Sequence, residues 1–221
     1  MGRLRLGVLA SGRGTSLQAM LDAARQGEIP AQVAVVISNR PGSRALARAR
    51  AAAVPAFAMP QTRFPDLRTR DLAMVERLRL HGVGLVVLAG YDRVLHPEFL
   101  HAFPQRVINM HPSLLPAFGG ELAMAPRPQA EALAYGCKVA GCTVQFVADD
   151  GGIDTGPIIA QAPVPVYDDD TVDTLVARIL REEHRILLDA IRWIAAGRVR
   201  IEGRRVYTGH LRPPDEPGLP E

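Results

Sequence analysis

Short apolar segments alternate with amphipathic segments along most of the chain. The apolar segments are rich in Val, Leu, Ile and Ala, which predicts strands at residues 4–10, 32–38, 56–59, 83–88, 106–110, 139–147 and 158–166. Between them, apolar residues recur at helical spacing, which predicts helices at residues 16–26, 43–53, 66–80 and 171–196. A terminal hairpin is predicted at residues 199–201 and 205–207. This alternation predicts an α/β fold with a parallel sheet and helical crossovers.

The spacing within two of the helices indicates which face of each packs against the sheet. In the helix predicted at residues 66–80, the inward residues are expected to be Leu72, Val75 and Leu78. In the helix predicted at residues 171–196, the apolar face consists of Leu175, Ile179, Ile186, Leu187 and Ile191. Thr171 is expected to cap the start of this helix, because its hydroxyl can accept from the first unpaired N–H groups.

The composition is typical of a globular protein and limits the kinds of ligand that it could bind. Of its 221 residues, 48% are hydrophobic and 22% are charged, which predicts a single domain over residues 1–221. The formal net charge of +3 is compatible with an anionic partner, although a solvated basic surface is the favoured explanation. Because aromatic residues are only 5% of the chain and its arginines are scattered, a small phosphorylated substrate fits better than a nucleic acid.

The sequence also argues against a membrane segment and a metal site. No apolar run approaches the roughly 18 residues that a membrane-spanning helix needs. The first apolar run lacks a signal-peptide cleavage region, so we expect a cytoplasmic protein. Cys137 and Cys142 have no second cysteine or histidine cluster near them in sequence, which predicts free thiols and no metal.

Asn109 and His111 are the most informative polar residues in the chain. They lie two apart at the end of a predicted strand, so they share one face, and Pro112 ends the strand just beyond them. An amide donor and an imidazole at the carboxyl end of a strand are suited to stabilising an oxyanion and moving a proton. A hydrogen-bonded pair that only fastens a loop is the alternative.

A glycine-containing loop links the first strand to the first helix and resembles a phosphate cradle. It contains Gly12, Gly14, Thr15 and Ser16, and the helix that follows offers unpaired N–H groups to an anion. The loop does not fit a dinucleotide fingerprint, because Leu17 stands where the third glycine is needed. A tight turn that caps a helix is the alternative.

Two further segments have candidate functional residues. Asp154 lies in a turn-rich loop before Gly156-Pro157 and is a candidate acid–base group, although Asp149 and Asp150 compete with it and turn formation is an alternative role. Gly90 allows a sharp exit from the most apolar strand, and the backbone beyond it could hydrogen-bond a flat heterocycle. A plain strand-to-loop transition is the alternative there.

Together these segments resemble the glycinamide ribonucleotide formyltransferases, the folate-dependent enzymes of purine synthesis. The resemblance extends from about residue 4 to residue 212. The motifs that match are SGRGTSLQA at 11–19, LAGY at 88–91, NMHPSLLP at 109–116, GCTV at 141–144 and DTGPIIAQ at 154–161. The resemblance implies a Rossmann-like, mostly parallel twisted sheet with helices on both faces and a C-terminal long helix plus hairpin.

The resemblance also implies the reaction and its residues. The reaction is transfer of the formyl group of the co-substrate 10-formyltetrahydrofolate to the amine of glycinamide ribonucleotide, without a metal. The implied catalytic residues are Asn109, His111 and Asp154. The phosphate and ribose of the ribonucleotide would contact Gly12, Gly14, Thr15, Ser16 and Glu183, and the folate would contact Arg93, Val94, Leu95 and Asn109. Residues 1–105 would then form a phosphate-binding half and residues 106–221 a catalytic and folate-binding half, in a monomer or a homodimer.

One stretch departs from the family pattern. Members of the family usually carry a glycine-rich loop with His or Tyr after the Leu-Pro of the central motif. Here residues 117–129 contain two prolines, Pro126 and Pro128, and neither His nor Tyr. We therefore expect the substrate contacts of this loop to differ from those of the family, with the Asn, His and Asp residues intact.

Four other functions compete with this interpretation. In 10-formyltetrahydrofolate hydrolysis, water would replace the amine, but the predicted phosphate cradle argues against it. A methionyl-tRNA formyltransferase is expected to carry a further RNA-binding domain. An NADP-binding oxidoreductase could use Arg40 for the 2′-phosphate, but the glycine fingerprint is broken. A binding protein without activity would result if the altered loop blocked the site.

Overall fold

A seven-stranded sheet forms the centre of the computed structural model, which describes residues 2–120, 128–150 and 152–209. Its strands are β1 (Leu4–Leu9), β2 (Ala31–Ser38), β3 (Ala56–Ala58), β4 (Leu85–Leu88), β5 (Val107–His111), β6 (Val139–Phe146) and β7 (Ile158–Pro165). Their order across the sheet is β3-β2-β1-β4-β5-β6-β7. The first five strands in this order pair in parallel, whereas β6 runs antiparallel to both β5 and β7. The predicted mostly parallel α/β sheet is thus confirmed.

Six helices and a hairpin complete the described chain. The helices are α1 (Thr15–Gln26), α2 (Arg44–Ala51), α3 (Leu67–Leu80), α4 (Pro97–Ala102), α5 (Pro128–Tyr135) and α6 (Val172–Ala195), with a 3-10 turn at Gln61–Arg63. Strands β8 (Arg200–Glu202) and β9 (Arg205–Tyr207) form the predicted antiparallel hairpin. The apolar pattern did not predict α4 or α5, which are too short for a clear period. None of the described helices is long and apolar enough to cross a membrane.

Helices cover both faces of the sheet, because alternate strand residues point to opposite sides. On one face, Leu85 and Val87 of β4 join the core cluster that contains residues of α1, α2 and α6. On the other face, Val86 and Leu88 join the cluster that contains residues of α3 and α4. The continuously apolar β4 is therefore buried on both sides, as its sequence predicts.

Side-chain caps fix where four of the described helices begin, and at α4 the cap is His96, whose Nδ1 accepts from the backbone N–H of Glu98. Ser43 accepts a hydrogen bond from the backbone N–H of Leu46, and Asp66 accepts from that of Thr69. Thr171 forms a capping box with Thr174 at the start of α6, which confirms the predicted cap. All five apolar residues predicted for the inner face of α6 are buried.

The inner face predicted for α3 is wrong at one position. Val75 and Leu78 are buried as predicted, but Leu72 is 39% exposed. Arg70 and Asp71 are buried instead, at 1% exposure each, and form an ion pair. An apolar period cannot detect this face, because a buried ion pair stands where the pattern expects an aliphatic side chain.

Part of the atypical loop, including Pro126, and the chain beyond residue 209 lie outside the described residues.

Candidate active site

A cavity of about 660 Å³ opens at the carboxyl end of the parallel strands. Three segments line it: the residues that follow β4, the end of β5, and the loop between β6 and β7. This is the edge at which open α/β sheets place their ligands. The cavity brings together all three predicted catalytic residues and all four predicted folate contacts; Asn109 belongs to both sets, and the others are His111, Asp154, Arg93, Val94 and Leu95.

The side chain of Asp154 joins the predicted catalytic residues into one cluster. Its Oδ1 accepts a hydrogen bond of 3.3 Å from Asn109 Nδ2, and its Oδ2 lies 3.2 Å from His111 Nδ1. The side chains of His111 and Asp154 are only 7% and 8% exposed. Burial strengthens such polar contacts, because water does not compete with them.

Two further donors complete the surroundings of this carboxylate. Gln145 Nε2 donates to Asp154 Oδ1 at 2.8 Å, and the backbone N–H of Gly120 donates to Oδ2 at 3.2 Å. Each carboxylate oxygen therefore faces two nitrogen atoms. This arrangement holds Asp154 in one orientation and suits it to anchoring the imidazole of His111.

The sheet register explains why the cluster forms. Asn109 and His111 share one face of β5, and in the antiparallel pairing Asn109 lies opposite Gln145 of β6. Asp154 lies beyond the end of β6, in a backbone conformation with φ of 58°, which Asp adopts more readily than most residues. Gly156 follows it, and a Cβ there would overlap the carbonyl oxygen of Phe146. The glycine of the Asp-x-Gly-Pro motif is thus required by close backbone packing.

Both ring nitrogens of His111 have oxygen neighbours. Nδ1 faces Asp154, and Nε2 lies 3.2 Å from the carbonyl oxygen of Phe118. A doubly protonated ring would donate to both oxygens. Among the described residues only Asp154 accepts from the Asn109 amide, so the second N–H of that amide is available to a ligand oxygen in the cavity.

The other two aspartates of this loop have different roles. Asp150 accepts from the Thr155 hydroxyl at 2.7 Å and from the backbone N–H of Gly152 at 3.0 Å, which stabilises the turn. Asp149 forms an ion pair with His101. Geometry therefore singles out Asp154 among the three candidates, because it contacts both Asn109 and His111.

The predicted phosphate cradle lies beside the cavity and does not line it. The loop ends at Gly14, whose φ is 69° and which precedes α1 without a side-chain cap. A Cβ on Gly14 would lie 2.8 Å from Cα of Ala45, so only glycine fits. The first N–H groups of α1 carry no side-chain cap and the first turn has no acidic residue, which favours an anion.

Glu183 lies on α6, within electrostatic range of Arg13 in this loop. Burial raises the pKa of Glu183 to about 7, and the positive charge of Arg13 opposes this shift. The side chain therefore changes its charge near neutral pH. Next to it, burial lowers the pKa of His184, and its Nε2 is buried without a partner among the described residues.

The sequence did not identify Gln145 as a site residue. It is 2% exposed, and its Oε1 has no hydrogen-bond partner in the described part of the chain. A polar residue in the middle of an otherwise buried strand was the available signal, since buried amides need partners. The backbone groups of Phe118 and Gly120 left no signal, because any residue supplies them.

Comparisons with known proteins show the family to which the chain belongs. The family model described as formyl transferase matches residues 4–191. A phosphoribosylglycinamide formyltransferase of Mycobacterium tuberculosis is 44% identical over 205 residues, which cover 93% of this chain and 91% of the relative. One of Haemophilus influenzae is 36% identical and covers 92% of each chain.

The solved structures include a close neighbour. The crystal structure of glycinamide ribonucleotide transformylase 1 from Symbiobacterium toebii superimposes with a TM-score of 0.87 at 54% identity, and covers 93% of both chains. Fold and sequence similarity agree, and the resemblance seen in the sequence is confirmed. The chain belongs to the formyl transferase family.

Proposed function

We propose that this protein transfers the formyl group of 10-formyltetrahydrofolate to the amine of glycinamide ribonucleotide in purine biosynthesis. One observation carries the proposal most strongly: in a chain that is 44% identical to a phosphoribosylglycinamide formyltransferase, Asn109, His111 and Asp154 meet in a single cavity. The products are the formylated ribonucleotide and tetrahydrofolate.

The reaction begins when the amine nitrogen attacks the formyl carbon. A C–N bond forms and the carbonyl electron pair moves onto oxygen. The intermediate then collapses, breaking the bond to N10 of the folate, which gains a proton as the amine loses one. The second N–H of Asn109 and an N–H of His111 are suited to holding the oxyanion, while Asp154 keeps the imidazole oriented. For His111 to reach the substrate through Nε2, the formyl oxygen must replace the carbonyl of Phe118.

Binding of both substrates side by side supplies part of the acceleration. We assign the ribonucleotide phosphate to Gly12, Gly14, Thr15 and Ser16 and its ribose to Glu183. We assign the folate to Arg93, Val94, Leu95 and Asn109. The proposed boundary between the two halves at residue 105 does not separate two sites, because residues before and after it line the same cavity.

Hydrolysis of 10-formyltetrahydrofolate is the alternative function, and one assay distinguishes it from formyl transfer. The enzyme is mixed with 10-formyltetrahydrofolate in the presence and absence of glycinamide ribonucleotide, and tetrahydrofolate and formylated ribonucleotide are measured. Transfer predicts that both products form only when the amine is present. Equal tetrahydrofolate without the amine would establish hydrolysis, and no product in either mixture would contradict both activities.

A further inference from the structure

Asp92 is a charged residue at the cavity that the proposed chemistry does not use. It follows β4, which lies next to β1 in the sheet, and β2 lies on the other side of β1. From β1 the chain adds β2 and β3 on one side of the sheet, and then adds β4 and β5 on the other side of β1. Asp92 therefore lies at the topological switch point, where loops from neighbouring strands separate.

Asp92 connects the ends of all three strands through hydrogen bonds. Its Oδ1 lies 2.8 Å from Ser11 Oγ and accepts from Asn39 Nδ2 at 2.8 Å. Its backbone N–H donates to Ser11 Oγ at 2.9 Å. Ser11 is 4% exposed and Asn39 is 8% exposed, so two of the partners are buried.

Two arginines complete this cluster, which we call the Asp92 cluster (Ser11, Asn39, Arg40, Asp92 and Arg93). Arg40 Nη2 donates to Asp92 Oδ2, and Arg93 Nε lies 3.7 Å from Oδ1. Partial burial acts to raise the pKa of Asp92, but the hydrogen bonds from Ser11 and Asn39 and the two positive charges outweigh it and lower that pKa. Asp92 is therefore ionised at neutral pH.

The cluster joins two segments that have separate tasks under the proposed function. Ser11 opens the loop that we assign to the ribonucleotide phosphate, and its backbone N–H also donates to Gly90 at 3.0 Å. Asp92 directly precedes Arg93, which opens the segment that we assign to the folate. A change in position of either segment therefore changes the hydrogen bonds that hold the other.

We propose that Asp92 is a positioning residue that couples the two substrate sites, so that a ligand in either site tightens binding in the other. This inference rests on the proposed function of the same cavity. The physical basis is that the cluster orders both segments together. Binding of the first ligand then reduces the conformational entropy of both segments, so the second ligand loses less entropy when it binds. Such coupling is reciprocal, and typical values begin at about fivefold.

Calorimetry of a non-reacting pair tests the coupling. Tetrahydrofolate is titrated into the full-length protein with and without saturating glycinamide ribonucleotide. We expect the ribonucleotide to lower the Kd of tetrahydrofolate about fivefold or more in the wild type and less than about twofold in Asp92→Ala. Ser11→Ala, which keeps the carboxylate but removes one link, should give an intermediate ratio.

Asp22→Ala is the matched control. Asp22 lies on α1, the helix that follows the phosphate loop, and its side chain is 40% exposed against 37% for Asp92. It also pairs with an arginine, but its hydrogen bonds and ion pair are with Gln18 and Arg25 on the same helix and not with the folate segment. It should retain the wild-type ratio. In steady state, Asp92→Ala should raise the KM of both substrates with kcat changed less than about threefold, which a loss of folded protein would not produce.

Three outcomes would overturn the inference. One is a wild-type enzyme that transfers formyl groups but shows no coupling. Another is an unchanged coupling ratio in Asp92→Ala, and the third is a rise in the KM of only one substrate. A wild type that forms no formylated ribonucleotide would instead contradict the proposed function itself, so the two failures are distinguishable.

Discussion

Two aspartates at the same edge of the sheet are surrounded by donors but lie in different environments. Asp154 is 8% exposed and contacts amides and an imidazole held on β5 and β6. Asp92 is 37% exposed and contacts a hydroxyl, an amide and two arginines that extend into water. Under the proposed function, burial, more than the number of donors, distinguishes the proposed catalytic residue Asp154 from Asp92, which we propose connects two loops.

The difference has an energetic reason. Around Asp154 little water competes, so each contact is strong and the orientation of His111 is fixed. Around Asp92 the arginines are more than half exposed, and exposed ion pairs contribute only about 0–1 kcal/mol each. We therefore expect changes at Asp154 to lower kcat and changes at the Asp92 cluster to raise KM.

The largest effect is expected from Asp154→Asn. Asn is nearly the same size and tolerates the same backbone conformation, but it cannot offer a charged acceptor to His111. We expect kcat to fall by at least ~100-fold with little change in either KM. Asp150→Asn is the control in the same loop and should keep kcat within about twofold. Near-normal turnover in Asp154→Asn would remove this residue from the mechanism.

A smaller loss of kcat is expected from Gln145→Leu. It removes one donor to the Asp154 carboxylate, and a hydrogen bond to a charged group is worth about 1.5–3 kcal/mol. At the lower end this corresponds to about a tenfold loss in kcat. In an Asp154→Asn background the same substitution should cost little more, because its partner is already changed. Additive losses in the double variant would show that Gln145 acts independently of Asp154.

A pH effect of several-fold is expected at Glu183. Because its pKa is raised to about 7, the carboxyl is neutral below that pH and ionised above it. An ionised carboxylate accepts stronger hydrogen bonds from ribose hydroxyls, so the KM for glycinamide ribonucleotide should fall as the pH rises from about 6 to about 8. The substrate phosphate also titrates near pH 6. Dividing the KM of the wild type by the KM of Glu183→Gln at each pH removes the effect of the substrate phosphate and leaves that of Glu183. A ratio that does not change with pH would contradict the assignment of Glu183 to the ribose.

The raised pKa of Glu183 also affects stability, and in the opposite direction: substrate binding improves as the pH rises, whereas the folded state becomes less stable. A folded-state pKa above the unfolded value means that the folded protein binds the proton more tightly. The contribution of Glu183 to stability is therefore present at low pH and is lost as the pH rises through about 7. The thermal unfolding midpoint should therefore fall less steeply in Glu183→Gln than in the wild type as the pH rises from 4.5 to about 7.

The smallest effect is expected from Arg40→Ala. Its side chain is 59% exposed, so its ion pair with Asp92 is weak and screened by salt. We expect the KM of both substrates to rise by less than about fivefold, with kcat unchanged, and the difference from wild type to shrink at high salt. A large loss of kcat would place Arg40 among the catalytic groups and break the contrast between the two aspartates.

The fold was predictable because its elements are locally encoded. All seven predicted strands and four predicted helices are present, since period and capping residues are properties of short segments. Leu72 was misplaced because Arg70 and Asp71 are buried for a tertiary reason. The backbone N–H of His96 donates to Asp71 at 2.6 Å, which anchors the segment after β4.

The site was predictable only in part. The face shared by Asn109 and His111 follows from strand geometry, and family motifs predicted that Asp154 and residues 93–95 belong to the same site, which the cavity brings together. Gln145 was missed because its role depends on the antiparallel register of β5 and β6, which places it opposite Asn109. Asp92 was missed because its partners lie in the segments that follow three different strands, β1, β2 and β4.

The sequence by itself determined the alternation of strands and helices, the Thr171 cap of α6, and the two-residue spacing that places Asn109 and His111 on one face. Only the tertiary structure decided which aspartate meets them and which joins the loops. Asp154 is 45 residues from Asn109, and Asp92 is 81 residues from Ser11. Contacts over such separations depend on strand order and register, which arise when the whole sheet buries its apolar faces and which no local pattern specifies.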